Sequence, residues 1–314
     1  MLANLFLVDH RLKANLFLVD HRLLANLFLV DHRLLANLFL VDHRLLANLF
    51  LVDHGLLANL FLVDHRLFPG VSGASKTRVV NTKYGSVQGF IRPLGHLLGD
   101  IEVFLGVPYA SAPVEDGRFT PTNSPTPWDK VRDATQQPPV CPQILPDVDN
   151  SMTDERATYI RRIRPFLLNQ SEDCLTLSIY SPIQVIPGSE VYPVVVYLHG
   201  ESFSWGAGSL YDGSVLAAYG RVVVVTINYR LGPLGFLNSY PGEGSAGVAS
   251  NFALLDQIAA LSWLVDNIGH FHGDRNKVTL VGRDTGAACI TYLMESPVMP
   301  PGLFNRAVLL SGVK

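Results

Sequence analysis

Charge is scarce in this sequence, and sulfur scarcer. Asp, Glu, Lys and Arg make up 16% of the 314 residues and leave a net charge of −3. That balance excludes both the basic face that binds nucleic acid and the polybasic surface that binds an anionic membrane. No apolar run reaches the roughly 18–20 residues needed to cross a bilayer. The first residues lack the basic start and small-residue cleavage site of a signal peptide, and their apolar stretches are cut by Asp-His-Arg. Three cysteines, Cys141, Cys174 and Cys289, allow one disulfide and one free thiol in an oxidising compartment. Apolar residues, in contrast, reach 48%, enough for one sizeable core or two small ones.

The chain opens with six near-copies of Leu-Ala-Asn-Leu-Phe-Leu-Val-Asp-His-Arg-Leu between Leu2 and Leu67, broken by Lys13 and Gly55. An eleven-residue period fits a right-handed helical supercoil. As a strand it fares worse, because an odd period turns each copy's side chains to the opposite face. On a helix, successive His residues would stand roughly 16 Å apart, and adjacent Asp and His do not converge. No metal site follows from either spacing. Copies this uniform, without distinct end caps, read as a recent tandem duplication with no chemistry of its own.

Residues 68–76 read as a linker, and the texture then changes. Val79–Val80 and Val87–Ile91, around a turn at Tyr84-Gly85, predict a hairpin. Leu175–Tyr180, Val194–Leu198, Val222–Asn228 and Val278–Val281 are β-branched runs that predict buried strands of one sheet. Asn251–Ile268 predicts a helix whose core face is Leu254, Ile258, Leu261, Val265 and Ile268. A second, short apolar helix is expected at Gly286–Met294, directly after a glycine-flanked turn. Strand, sharp turn and helix together make the nucleophile elbow of an α/β-hydrolase.

From residue 77 onward the chain resembles the N-terminal part of the type-B carboxylesterase/cholinesterase-like family. The blocks that carry the resemblance are Phe104-Leu-Gly-Val-Pro-Tyr-Ala, Gly117-Arg-Phe, Glu172-Asp-Cys-Leu-Thr-Leu-Ser-Ile-Tyr-Ser-Pro and Asn228-Tyr-Arg-Leu-Gly-Pro-Leu-Gly-Phe. The resemblance implies an α/β-hydrolase fold that runs, in this sequence, to one strand past the elbow helix. It also implies a disulfide between Cys141 and Cys174. No tryptophan lies between those cysteines, which is unlike cholinesterases. Cys289 is expected as a buried, unreactive thiol. Asn169-Gln170-Ser171 is an N-glycosylation sequon, used only if the chain is secreted.

Esterases of this family place serine in Gly-x-Ser-x-Gly; this chain has Gly282-Arg283-Asp284-Thr285-Gly286. Elbow aspartates do serve as nucleophiles in the dehalogenases and epoxide hydrolases of this fold, so Asp284 admits that role. The bland alternative is an aspartate that tolerates an αL-like turn. The oxyanion loop departs too. Where the family has His/Tyr-Gly-Gly-Gly, this chain has His199-Gly200-Glu201-Ser202. Glu201 is expected either to oppose a developing oxyanion or, equally, to be a surface residue turned away from the pocket, and the added β-carbons to restrict the loop. His199 reads as a structural histidine, and the family's catalytic His and acid belong to a region beyond Lys314. No catalytic residue is therefore assigned.

His199-Gly-Glu-Ser followed by an aromatic, Tyr211-Asp-Gly-Ser-Val-Leu-Ala-Ala-Tyr-Gly and Gly302-Leu-Phe-Asn-Arg-Ala-Val-Leu resemble neuroligins, the adhesion branch of the family. That resemblance implies a non-catalytic protein on the extracellular side of the cell surface. It implies neurexin-type receptors as partners, homodimerisation in the full-length protein, and no cofactor or metal. A hydrolase with Asp284 as nucleophile is the alternative.

Overall fold

A computed structural model describes residues 27–29, 49–51, 75–148, 152–183, 191–237 and 250–312. The chain divides into two compact units, Met1–Leu67 and Phe68–Lys314. In the first, the described residues are two strands, β1 (Leu27–Leu29) and β2 (Leu49–Leu51), paired in parallel with Leu27 opposite Leu49. The expected helical supercoil is not what these residues form. Parity explains how the odd period is accommodated: partners two copies apart are an even number of residues apart, so their pleats match. The remainder of the repeat and most of the expected linker lie outside the described residues.

The second unit is built on a nine-stranded mixed sheet. Its strands are β3 (Lys76–Asn81), β4 (Ser86–Pro93), β5 (Asp100–Pro108), the short β6 (Arg132–Asp133), β7 (Thr176–Pro182), β8 (Tyr192–Leu198), β9 (Val223–Ile227), β10 (Gly273–Arg283) and β11 (Arg306–Leu310). The order across the sheet is β11-β10-β8-β9-β7-β5-β4-β3, with β6 beside β4. From β11 to β9 the strands run parallel; from β9 to β3 each pair is antiparallel. The β3–β4 hairpin forms where the sequence predicts it, its turn closed by Thr82 N–H donating to Gly85 O. All four β-branched runs are strands of this sheet, and every residue of β7 and β9 is buried.

Among the described residues five helices flank the strands: α1 (Asp154–Ile163), α2 (Ser214–Gly220), α3 (Gly232–Phe236), α4 (Phe252–Asn267) and α5 (Thr285–Glu295). α1 starts at Thr153, whose hydroxyl accepts from Arg156 N–H, with acids in its first turn and arginines in its last. It buries Ala157, Ile160 and Ile163.

α4 bears out part of the expected core face, Leu261 and Ile268 being fully buried, and shifts the rest. Its buried positions are Phe252, Ala253, Asp256, Gln257, Ala260, Leu261, Trp263, Leu264 and Asn267, while Leu254, Ile258 and Val265 are only half-buried. The inner face also carries polar groups, two of them with specific partners. Asp256 receives the guanidinium of Arg230 through Nε at 2.8 Å and Nη2 at 2.8 Å. Asn267 accepts from Lys83 N–H at 2.7 Å and donates to Trp263 O.

The sheet positions the site through its topology. From β8 the chain passes to β9 on one side and later to β10 on the other. The crevice beyond the carboxyl ends of β8 and β10 is therefore a switch point of the kind where α/β sheets bind ligands. Gly282 pairs with Leu198 across that end, which sets the loop after β8 against the turn after β10.

Candidate functional site

The turn after β10 is a sharp elbow. A β-carbon at Gly282 would stand 2.5 Å from the Gly286 carbonyl carbon, and one at Gly286 would stand 2.2 Å from Leu198 O. Both positions must therefore be glycine for α5 to begin so close to β8. Between them Asp284 has φ 54° and ψ −128°. That is not the αL conformation expected of an aspartate in a turn. It is a sparsely populated region that costs about 1–3 kcal/mol for a residue with a β-carbon. The surroundings hold it: Asp284 N–H donates to Leu310 O at 2.8 Å, and its own carbonyl accepts from Ala287 N–H at 3.0 Å.

The loop after β8 approaches from the other side. Gly200 is so near the elbow that a β-carbon there would lie 2.4 Å from Arg283 O and 3.0 Å from Asp284 Cβ. Beyond it Glu201, Ser202 and Phe203 have φ of 91°, 57° and 58°. Three consecutive residues with side chains thus adopt the left-handed backbone that glycines would adopt without strain. Their N–H groups converge. Glu201 N–H donates to Asp284 Oδ2 at 2.9 Å, Ser202 N–H donates to the same oxygen at 3.1 Å, and Phe203 N–H donates to Thr285 Oγ1 at 3.2 Å. The expected disruption of this loop by β-carbons is thereby corrected. The donor geometry survives, and its acceptor is the aspartate of the elbow.

Electrostatics fit that arrangement. Burial works to raise the pKa of Asp284, but the N–H groups of Glu201, Thr285 and Ser202 and the charge of Arg283 hold the carboxyl below the ordinary aspartate range. Asp284 is therefore an anion at neutral pH.

Of the two courses open to Glu201, its carboxylate takes the one away from the oxyanion position, though into an ion pair and not onto the open surface. Its carboxylate turns to Arg156 of α1, in a two-pronged ion pair with Nη2–Oε2 2.5 Å and Nη1–Oε1 3.3 Å. The guanidinium also lies 5.3 Å from the ring centres of both Tyr159 and Trp205. The charge that was expected to oppose an oxyanion is thus matched by a cation.

His199 is fully buried and stacked on Tyr229, with ring centres 4.3 Å apart, and its Nδ1 lies 3.2 Å from Gly200 O. Burial lowers its pKa to about 4, so it is neutral at physiological pH. Among the described residues no imidazole is hydrogen-bonded to Asp284, and no cluster of three or more His, Cys, Asp or Glu could hold a metal ion.

Cys141 and Cys174 are disulfide-bonded, and the loop they close contains α1 and hence Arg156. Gln143, just inside that loop, accepts from Gly206 N–H at 2.7 Å and donates to Gly206 O at 3.0 Å. Sequence reasoning missed Gln143 and Arg156, because each meets the oxyanion loop across a long sequence separation that no local pattern reveals. Asn169 is exposed, and its carbonyl accepts from Val140 N–H. Cys289 is buried, which pushes its thiol up to about 11.

The blocks that carried the resemblance lock into one another. Arg118 of the second block donates to both oxygens of Glu172 of the third, at 2.6 and 2.7 Å. The Tyr109 hydroxyl of the first donates to Asn228 O of the fourth at 2.7 Å. These residues are scaffold, not chemistry.

Comparison with known proteins accords with this architecture. The profile of the carboxylesterase family matches residues 76–314. Over 271 residues the chain is 42% identical to mouse neuroligin-2, covering 77% of this chain and 31% of that protein. It is 44% identical over 236 residues to human carboxylesterase 3, covering 74% of this chain and 39% of the relative. Among solved structures, a pNB esterase superposes with a TM-score of 0.59 at 39% identity, over 74% of this chain and 43% of its own. Juvenile hormone esterase from Manduca sexta gives 0.61 at 33% identity, over 74% and 41%. The fold is that of the α/β-hydrolases. The chain spans about a third of the length of the neuroligins and carboxylesterase it matches.

Proposed function

The chain belongs to the carboxylesterase family, and we propose that within it this is a neuroligin-like binding protein, not a hydrolase. One observation carries the reading: Asp284 Oδ2 occupies the backbone donors of Glu201 and Ser202 that would receive a substrate oxyanion. Each such charge-assisted bond contributes about 1.5–3 kcal/mol, so a neutral ester carbonyl competes poorly for the same donors. Denying one oxyanion donor costs an esterase roughly 10²–10³ in rate, before the missing hydroxyl is counted.

In this reading the full-length protein stands at the cell surface, binds a neurexin-type receptor and pairs with a second copy of itself. The similarity to neuroligin-2 and neuroligin-3 supports this. The exposed Asn169 sequon and the disulfide suit a secreted domain. The test is a calcium-dependent pull-down of neurexin by the full-length ectodomain, beside a p-nitrophenyl ester assay. Neurexin capture with no turnover above background is expected. Ester turnover that survives purification, with no neurexin bound, would overturn the proposal.

A second reading follows from the same bond. An ionised aspartate with one oxygen already in the hole is poised to attack a saturated carbon, placing the ester carbonyl where Oδ2 now sits. Turnover of an epoxide or haloalkane, abolished in Asp284→Asn, would establish it. His199 cannot supply the base for that reaction, since it is buried and carries no hydrogen bond to Asp284.

A further inference from the structure

At the end of the sheet away from the elbow, two irregularities of the backbone meet. The β3–β4 pairing shifts register between Lys76 and Val79, a bulge at the sheet edge that leaves Arg78 out of the ladder. The 3₁₀ turn Ile268–Phe271 ends at His272, whose φ of 66° is left-handed, uncommon for a residue with a side chain. His272 O accepts from Tyr192 N–H, at the start of β8, whose far end faces the elbow. The Arg78 guanidinium joins bulge and turn. Its Nη2 donates to His270 O at 2.7 Å and faces His272 Nε2 at 3.0 Å, and its Nε lies 3.3 Å from Glu102 Oε1 of β5. Glu102 Oε2 is itself 3.7 Å from His272 Nε2. A guanidinium nitrogen can only donate, so Nε2 accepts, and His272 is neutral with its proton on Nδ1. A proton added to Nε2 would set two donors and two cations face to face.

We propose that Arg78 and His272 compete for Glu102, and that acidification exchanges one cation for the other and unclasps the edge strand β3. At neutral pH Arg78 holds β3 to the turn at 270–272. Once His272 is protonated on both nitrogens, the imidazolium pairs with Glu102 across the 3.7 Å gap, and Arg78 leaves for the solvent that its side chain, 43% exposed, already reaches. The Glu102 and His272 side chains are 8% and 21% exposed, so the site holds one cation beside the carboxylate more readily than two. Burial and the Arg78 charge hold the His272 pKa below 6.5, so the neutral ring belongs to the clasped form. Burial pushes the Glu102 carboxyl up and Arg78 opposes it, so a cation must stay beside Glu102 to keep it charged. The clasp's stabilisation is therefore present above pH 6.5 and lost as pH falls through the lowered value. Among the described residues, the other charged groups on these elements are exposed or matched elsewhere. Lys76, Asp100, Arg275 and the His270 ring are exposed, Lys83 pairs with Asp266, and Lys277 pairs with Asp274. Lys83 N–H also donates to Asn267 Oδ1 at 2.7 Å, which fixes the hairpin turn and keeps the opening local.

Two measurements on the full chain test this. The first follows hydrogen exchange of a peptide covering residues 76–81 from about pH 7.5 to about pH 5, corrected for the intrinsic rate at each pH. Protection should fall about tenfold for each pH unit by which the clasp holds the His272 pKa down. His272→Gln keeps an acceptor for Arg78 and does not titrate, so its protection should stay level. The second is an NMR titration of the His272 ring in the wild type and in Arg78→Met. Freed of its competitor, the ring pairs with Glu102, and its midpoint should rise by about one pH unit or more. Level exchange in the wild type, or a fall repeated in full in His272→Gln, would mean that no proton on His272 opens the strand. A His272 midpoint unchanged in Arg78→Met would mean that the two cations do not compete. Any of these three results overturns the proposal, and the titration does so without any substitution at His272.

Discussion

Replacing Arg230 by methionine should cost about 3–5 kcal/mol of folding stability, the range found when one partner of a buried ion pair is removed. The structure supports the upper part of that range. The Arg230 and Asp256 side chains are 3% and 0% exposed. Asp256 accepts from Arg230 N–H, Nε–H and Nη2–H and from the Thr122 hydroxyl at 2.5 Å. Methionine fills the volume but leaves a carboxylate with two of its donors gone and no water to replace them. The double variant Arg230→Met/Asp256→Leu removes the stranded charge and should recover most of the loss. Urea unfolding followed by tryptophan fluorescence measures both, with Trp263 on the same helix as Asp256 as reporter. The effect should also reach the site. Gly232 N–H donates to Phe203 O at 2.8 Å and the Tyr229 hydroxyl donates to His199 O, so loosening position 230 should speed exchange at 201–203. A cost below about 1 kcal/mol for the single variant, or a double variant no better than the single, would refute the argument.

Four further outcomes are expected. Because His199 is buried neutral with a pKa lowered from 6.5 to about 4, its stability contribution is present above pH 6.5 and is lost as pH falls toward 4. His199→Phe should flatten the stability slope in that window; an unchanged slope would show that another group sets it. Asp284, with its pKa held down, contributes stability that is present above the ordinary aspartate value of about 3.9 and lost only as pH falls through its lower folded value. Asp284→Asn should therefore change the pH slope only in the acid limb below the His199 window, and lower stability by a constant amount above it. Reducing or mutating the Cys141–Cys174 bridge, at a sequence separation of 33, should cost about 3–4 kcal/mol in the chain-entropy model. Cys289 should meanwhile resist thiol reagents at pH 8 until the fold is unfolded by denaturant.

The sheet was legible because its central strands are buried on both faces and so read as unbroken β-branched runs. The glycine-flanked elbow was legible for a related reason: only glycine fits at Gly282 and Gly286, so the motif states the geometry. α4 was placed correctly but its inner face only in part, because periodicity counts apolar residues alone. Its inner face owes its orientation to Asp256 and Asn267, whose partners Arg230 and Lys83 belong to other elements. The oxyanion loop was misread for the same reason on a smaller scale. A glutamate in place of glycine looks like an added charge and a lost conformation. The structure sends the charge to Arg156 and keeps the conformation by means of Asp284. Long-range pairs between polar groups leave no trace in a local pattern.

The left-handed run at Glu201–Phe203 also bears on how substitutions at this site combine. Three residues with side chains hold a loop backbone that suits glycine, with an aspartate across from it. The two sets of residues are therefore epistatic. Serine at position 284, introduced alone, would return a hydroxyl but leave the run without its counter-charge. Glycines at 201–203, introduced alone, would relax the backbone but leave the aspartate in the hole. Neither single change is self-sufficient, so the two sets of residues are expected to be exchangeable only together.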